Sequence, residues 1–274
     1  MQVKMAKNYG FCFGVKRAIE IAQKNKDSLT LGSLIHNPKE IERLERDFNV
    51  RVQDDVGAIE SHSSVIIRTH GIPKNDLALL KEKGAHIIDA TCPYVIKPQQ
   101  IVEKMSAKGY QIVLFGDANH PEVKGVISYS STPPLVVNSL EELQGKKLGK
   151  KVTLVSQTTK QTPKLLEIAN FLITRCAEVR IFNTICNATF DNQEAVRELS
   201  QEVDVMIIVG GRTSSNTKQL FHIAKEFCTD SYLVEDFNDL DPAWFRGKRL
   251  CGISAGASTP DWIIEGVREQ IAGF

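Results

Sequence analysis

The chain has 274 residues, 42% of them hydrophobic and 24% charged, with a formal net charge of +1. That balance is ordinary globular material and argues against a partner held by bulk charge, whether nucleic acid or an anionic membrane surface. No apolar run approaches the roughly 20 residues of a membrane span, and Met1 to Lys7 lacks the apolar core of a secretory signal. A cytoplasmic protein is therefore expected, its six cysteines reduced, metal-bound or catalytic rather than paired as disulfides.

In chain order, a first lobe opens on Tyr9-Gly10-Phe11-Cys12-Phe13-Gly14. The spacing of Val15, Ala18, Ile19 and Ala22 predicts a helix over 14–26. Ser28 to Leu31 reads as a strand, and a loop carrying His36 leads to a helix from Pro38, which suits a first helical turn. Val65 to Arg68 is a strand with the exit loop Thr69-His70-Gly71-Ile72-Pro73, and the helix after it stops at Gly84. The strand His86 to Asp89 then runs into Ala90-Thr91-Cys92-Pro93.

A second lobe repeats the scheme. A helix is expected from Pro98 to Lys108, and a strand over 110–115 exits through His120-Pro121-Glu122. Leu135 to Val137 is a strand, with a capping-box start at Ser139 and Glu142. Val152 to Val155 exits through Ser156-Gln157-Thr158-Thr159, and a helix follows from Pro163 to about Cys176. The third lobe holds Cys186, then a strand over 205–209 that exits through Gly210-Gly211-Arg212-Thr213-Ser214-Ser215-Asn216. A helix with Leu220, Ile223 and Ala224 leads to a strand over 249–253, an exit with Ser258, and a last helix.

Strands alternating with helices predict an α/β fold with parallel sheets. The expected lobes are 1–90, 91–185 and 186–274. Each carries one cysteine loop and two further polar loops, spaced 12→36→70, 92→120→158 and 186→214→258. Ligands of parallel sheets bind beyond the carboxyl ends of the strands. Three such lobes about a pseudo-threefold axis, a trefoil around a central cavity, would gather all nine loops.

Three thiolates converging on one point would hold a soft metal centre, either zinc with an open fourth position or an iron–sulfur cluster. Taken singly, each cysteine reads first as a small core residue, the assignment kept for Cys176, Cys228 and Cys251, and it is the matched loop positions of Cys12, Cys92 and Cys186 that favour a shared centre. His36, His70 and His120 sit in strand-exit loops beside helix-starting prolines, where free N–H groups favour an anion. With Ser214, Ser215, Asn216 and Ser258 they suit a phosphate or diphosphate, although Ser214 and Ser258 also read as loop caps. Glu122 reads as a proton relay or as a first-turn acid complementing the helix dipole. Thr158 reads as a cap or as a holder of a substrate hydroxyl. No Walker loop or Gly-x-Gly-x-x-Gly fingerprint is present.

Nine motifs occur in register across nearly the whole chain: Gly10-Phe11-Cys12-x-Gly14-Val15, Ile35-His36-Asn37, Thr69-His70-Gly71, Asp89-Ala90-Thr91-Cys92-Pro93, His120-Pro121-Glu122-Val123, Ser156-Gln157-Thr158-Thr159, Thr184-Ile185-Cys186-x-Ala188-Thr189, Ser214-Ser215-Asn216 and Ala255-Gly256-Ala257-Ser258. With them the chain resembles the LytB family of 4-hydroxy-3-methylbut-2-enyl diphosphate reductases, which catalyse the last step of the methylerythritol phosphate route to isoprenoids.

The resemblance implies a [4Fe–4S] cluster, isolable as [3Fe–4S], on Cys12, Cys92 and Cys186 with one iron open. It implies a diphosphate pocket of His36, His70, His120, Ser214, Ser215, Asn216 and Ser258, with Glu122 as proton relay and Thr158 ordering the substrate hydroxyl. It also implies two-electron reductive dehydroxylation to isopentenyl and dimethylallyl diphosphate, with reduced ferredoxin or flavodoxin as donor. Asn192, Ile96 and Gln99 depart from the family's usual arginine, threonine and histidine, and bear on the surroundings of the site or on donor docking. The rival readings are a three-cysteine zinc hydrolase or lyase and a non-catalytic phosphometabolite-binding protein.

Overall fold

In the computed structural model, which describes residues 1–274, short β-branched runs alternate with amphipathic helices. The elements are β1 (Gln2–Met5), α1 (Phe13–Lys24), β2 (Leu29–Leu31), α2 (Pro38–Phe48), β3 (Arg51–Gln53), β4 (Ser64–Ile67), α3 (Lys74–Glu82), β5 (His86–Asp89) and α4 (Pro93–Ser106). They continue with β6 (Gln111–Phe115), α5 (Pro121–Ile127), β7 (Leu135–Val137), α6 (Leu140–Leu143), β8 (Lys151–Ser156), α7 (Thr162–Ile173) and β9 (Glu178–Ile181). Last come α8 (Asn187–Ser200), β10 (Val205–Val209), α9 (Ser215–Phe227), β11 (Ser231–Val234), β12 (Leu250–Ala255) and α10 (Asp261–Ala272).

The strands form three four-stranded sheets, ordered β3-β2-β4-β5, β7-β6-β8-β9 and β11-β10-β12-β1. Every pairing is parallel. The α/β class with three parallel sheets is thus as expected. The sheets share one plan, because in each the strand leading to a cysteine lies on the edge beside the third strand of its set. The third sheet is completed by β1 from the chain's start, which pairs with β12 from Gln2–Leu250 to Met5–Ile253.

The chain forms two compact units. One comprises Met1–Lys16, Ile35–Arg43 and Asn187–Phe274 and holds the β11-β10-β12-β1 sheet. Its central strand β10 is buried along its length, and alternate residues serve opposite faces as the pleat requires. Val205, Ile207 and Val209 pack with Ile263, Ile264, Val267 and Ile271 of α10. Met206 and Ile208 pack with Val196 and Leu199 of α8 and Leu220 and Ile223 of α9. The other unit comprises Arg17–Leu34 and Leu44–Cys186 and holds the remaining two sheets.

Two local expectations are corrected, and four strands are added. The helix expected from Pro98 begins at Pro93, with Cys92 as its N-cap and Pro98 inside it. Proline at the first position has its φ already set for the helix, whereas Pro98 only removes one interior N–H donor. At α6, Ser139 accepts the Glu142 N–H as expected, but the Glu142 carboxylate takes the N–H of Asn138 rather than that of Ser139. Four strands without a sequence reading, β1, β3, β9 and β11, are all sheet edges.

Candidate functional site

The three cysteines of the resemblance share one local geometry. Cys12 follows β1, Cys92 follows β5 and Cys186 follows β9, each an edge strand. The N–H of each donates to a carbonyl two residues past the end of the neighbouring strand: Cys12 to Ala257 at 3.2 Å, Cys92 to Thr69 at 3.0 Å and Cys186 to Thr158 at 2.9 Å. These bonds extend the parallel ladders beyond the strands and fix each backbone at a carboxyl end, while the side chains remain partly exposed. Thr184 locks the last of them, its hydroxyl donating to the Ser156 carbonyl at 2.6 Å and accepting the Ser156 N–H at 2.8 Å. Cys251, by contrast, is fully buried in β12, and burial pushes its thiol up to about 12. Cys228 is buried with the α8–α9 core, and Cys176 packs against the β6–β8 core. Partly exposed thiols on rigid strand exits are the soft donor set that iron–sulfur or zinc centres use.

In the second unit a continuous run of contacts joins Cys186 to Cys92. Thr158, whose carbonyl takes the Cys186 N–H, donates its own N–H to Glu122 Oε1 and its hydroxyl to Oε2, both at 2.7 Å. The Glu122 N–H donates to Nδ1 of His120 at 3.2 Å, which leaves Nε2 of the neutral ring to carry the proton. The His120 ring meets His70 edge-on, with centroids 5.5 Å apart. His70 adjoins Thr69, the residue whose carbonyl anchors Cys92. Glu122 is 1% exposed, and burial pushes its carboxyl up to about 7 against the two bonds from Thr158. A buried acid in that range gains and loses its proton near neutrality.

The first unit carries neutral donors. Ser214 caps α9, its Oγ accepting the Thr217 N–H at 3.2 Å, so its role as a cap is real and its O–H remains a donor. Asn216, in the first turn of α9, is 4% exposed, and neither its Nδ2 nor its Oδ1 has a hydrogen-bond partner. Ser258 donates its hydroxyl to the His36 carbonyl at 3.2 Å, one residue after the carbonyl that holds Cys12. The same His36 carbonyl presses on Gly211, where a Cβ would lie 2.5 Å from it. The glycine pair at 210–211 therefore serves close packing of two loops, not a dinucleotide turn.

Sequence reasoning passed over Thr184 and Lys160. Thr184 had no reading beyond its motif, and the Gly210-Gly211 pair reads from sequence only as weak evidence for a dinucleotide. Lys160 was hidden because a lysine between two polar loop residues normally reads as solvent-facing, yet it is 8% exposed. Of the departures, Asn192 and Gln99 are buried on α8 and α4, and Ile96 is half-buried on α4. Gln99 packs beneath the His70 loop, where a Cβ on Gly71 would come within 2.8 Å of its Nε2.

The family profile described as LytB protein matches residues 3–272. A Helicobacter pylori (strain P12) protein named 4-hydroxy-3-methylbut-2-enyl diphosphate reductase is 71% identical over 272 residues, covering 99% of each chain. A Wolinella succinogenes protein of the same name is 63% identical over 274 residues, covering 100% of this chain and 99% of that one. A solved structure described as (E)-4-hydroxy-3-methyl-but-2-enyl diphosphate reductase, the terminal enzyme of the non-mevalonate pathway, aligns with a TM-score of 0.72 at 41% identity over 100% of both chains. A Plasmodium falciparum reductase structure aligns with a TM-score of 0.91 at 25% identity, covering 99% of this chain and 87% of that one. On a profile that spans nearly every residue and relatives of this identity, the chain belongs to the LytB protein family.

Proposed function

We propose that this chain reduces 4-hydroxy-3-methylbut-2-enyl diphosphate, as its relatives' names indicate, and that the products are isopentenyl and dimethylallyl diphosphate, as the family resemblance implies. The observation that carries the reading is the run from Cys186 through Thr158, Glu122, His120 and His70 to the Cys92 anchor. It ties a buried acid with a pKa of about 7 to the backbone anchors of two cysteines whose side chains are partly exposed, which suits a reaction that consumes protons and electrons together.

Cys12, Cys92 and Cys186 are the proposed ligands of a [4Fe–4S] cluster with one iron open. Their matched anchors and sulfur donors fit that group. When bound, the cluster supplies electrons and a Lewis-acidic iron for the substrate oxygen. Glu122 holds the proton that leaves with the substrate hydroxyl as water, and Thr158 orients both carboxyl oxygens. Across one turnover two electrons and two protons enter, the C–O bond breaks, and water departs.

The orphaned amide of Asn216, the hydroxyls of Ser214, Ser215 and Ser258, and the rings of His36, His70 and His120 are the proposed diphosphate donors. Hydrogen bonds to charged groups contribute about 1.5–3 kcal/mol each, against about 0.8 kcal/mol per buried CH₂. The phosphates therefore dominate affinity and the five-carbon tail is positioned for chemistry. As electron donor we propose reduced ferredoxin or flavodoxin, as the family resemblance implies. No helix is long and apolar enough to cross a membrane, and we propose the cytoplasm, where thiols stay reduced, as the compartment.

The test is iron and sulfide content with an anaerobic assay supplied with a reduced one-electron donor. Iron, sulfide and formation of both products are expected. Cys12→Ser, Cys92→Ser and Cys186→Ser should each lose cluster and nearly all turnover. Zinc without sulfide, or substrate binding without turnover, would overturn the reading.

A further inference from the structure

We propose that Arg68 is a positioning residue for His70, its side chain closing the β4-exit turn that carries the histidine and seated on Gly32 at the exit of β2. Arg68 follows the last residue of β4 and opens the turn Arg68-Thr69-His70-Gly71. The Gly71 N–H donates to the Arg68 carbonyl at 3.0 Å, the bond that closes a turn of this length. The side chain folds back over the same residue, and Nε of Arg68 donates to the Gly71 carbonyl at 3.2 Å. Both backbone polar groups of Gly71 are thus tied to Arg68, one through the main chain and one through the guanidinium.

The guanidinium has room to do so because Gly32, the residue after β2, carries no side chain. A Cβ there would lie 2.2 Å from Nη1 and 2.9 Å from Cζ of Arg68, and Gly32 has a φ of +72°, which suits glycine. Gly32 is itself fixed, its N–H donating to the Gln53 carbonyl at 2.8 Å. Thr69 ties the turn to the same exit, its N–H and its hydroxyl both donating to the Leu34 carbonyl, at 3.3 and 2.9 Å. The hydroxyl oxygen lies 3.3 Å from Nδ1 of His70. His70 is therefore aimed by Thr69 on one side, while Arg68 fixes the backbone at Gly71 on the other. The Arg68 side chain is partly buried, and a bond from a charged donor resists opening better than a neutral one. Without it the turn is closed by one backbone bond, and a donor displaced by about 1 Å loses its alignment with a bound anion.

The inference rests on the reading of His70 as a diphosphate donor, and the experiment separates the two. The probe is inorganic diphosphate, titrated into the anaerobic holoenzyme, with KM for the substrate measured alongside. Arg68→Met keeps an apolar stem over Gly32 but cannot donate. Its Kd and KM should rise about five- to tenfold, the loss of roughly one hydrogen bond, with iron content as in the wild type and kcat within about twofold. In a His70→Ala background the same substitution should change Kd by less than about twofold, because residues that act through one another are not additive. Backbone hydrogen exchange over 68–73 should quicken in Arg68→Met. Gly32→Ala, which drives the guanidinium off its seat, should repeat this pattern and supplies the test should Arg68→Met not fold. An effect of Arg68→Met that persists in full without His70 would make the guanidinium a direct anion ligand and overturn the positioning role. Unchanged binding and exchange in folded Arg68→Met, or failure of both variants to fold, would also overturn it. Unchanged diphosphate binding in His70→Ala would instead sink the assignment of His70 to the diphosphate, with hydrogen exchange still deciding whether Arg68 closes the turn.

Discussion

The two units solve different problems at their strand exits. In the second unit the exits of β4, β6 and β8 are joined through two imidazole rings, His70 and His120, and the buried acid Glu122, with a buried lysine at the β8 exit. In the first unit the exits of β10 and β12 offer Ser214, Asn216 and Ser258, which cannot change charge in the physiological range. Neutral donors bind an anion at constant strength across pH, whereas a desolvated carboxyl close to pH 7 binds weakly and exchanges protons well. On the proposed reading the neutral donors help to hold the substrate, together with the histidine rings of both units, while Glu122 is the group that transforms it.

The largest expected effect lies on the titrating side. Glu122→Gln keeps the acceptor for the Thr158 N–H but carries no transferable proton, so kcat should fall by about 10²–10⁴ with KM little changed. Wild-type turnover in that variant would return Glu122 to a structural role and erase the contrast. In the wild type kcat/KM should decline above about pH 7, as Glu122 loses its proton, with that limb absent from the variant.

The stability of the same pair has a definite sign. The folded pKa lies above the ordinary 4.5, so the contribution of Glu122 is full below about 4.5 and is lost as pH rises through about 7. Glu122→Gln should therefore be the more stable protein at pH 8, by at most about 3 kcal/mol, with little difference at pH 4. Denaturant melts at the two values check this.

On the neutral side the effect should be smaller and of another kind. Asn216→Ala removes a buried amide that has no partner in the ligand-free protein. Its Tm should hold or rise, because an orphaned polar group costs about 1–3 kcal/mol, while KM rises about tenfold, a loss of about 1.4 kcal/mol of binding, and kcat stays within a few-fold. A collapse of kcat with unchanged KM would move Asn216 to the reacting side. The smallest effect belongs to Cys176→Ser, a residue at the edge of the β6–β8 core, which should leave iron content and kcat as in the wild type.

How far the sequence could be read follows from burial. Runs such as Val152 to Val155 and Val205 to Val209 announce themselves as strands because both faces of a central parallel strand are covered. Gln2–Met5, Arg51–Gln53, Glu178–Ile181 and Ser231–Val234 mix polar and apolar residues because a sheet edge leaves their side chains half in water. The cysteine loops could be read because the exits recur at matched positions in three segments. Lys160 could not, since its burial depends on Phe115 and Asn138, which come from other strands.

By itself the sequence determined the class of the fold, the alternation of strand and helix, and which residue types stand at each strand exit, because hydrophobic period, proline and glycine act over a few neighbours. Only the tertiary structure decided that β1 closes the sheet of β10 to β12, that Thr158 bonds Glu122 and Cys186 at once, and that Asn216 is left without a partner. Those facts depend on hydrogen bonds between segments up to hundreds of residues apart and on which groups lose their water, and no local pattern encodes either.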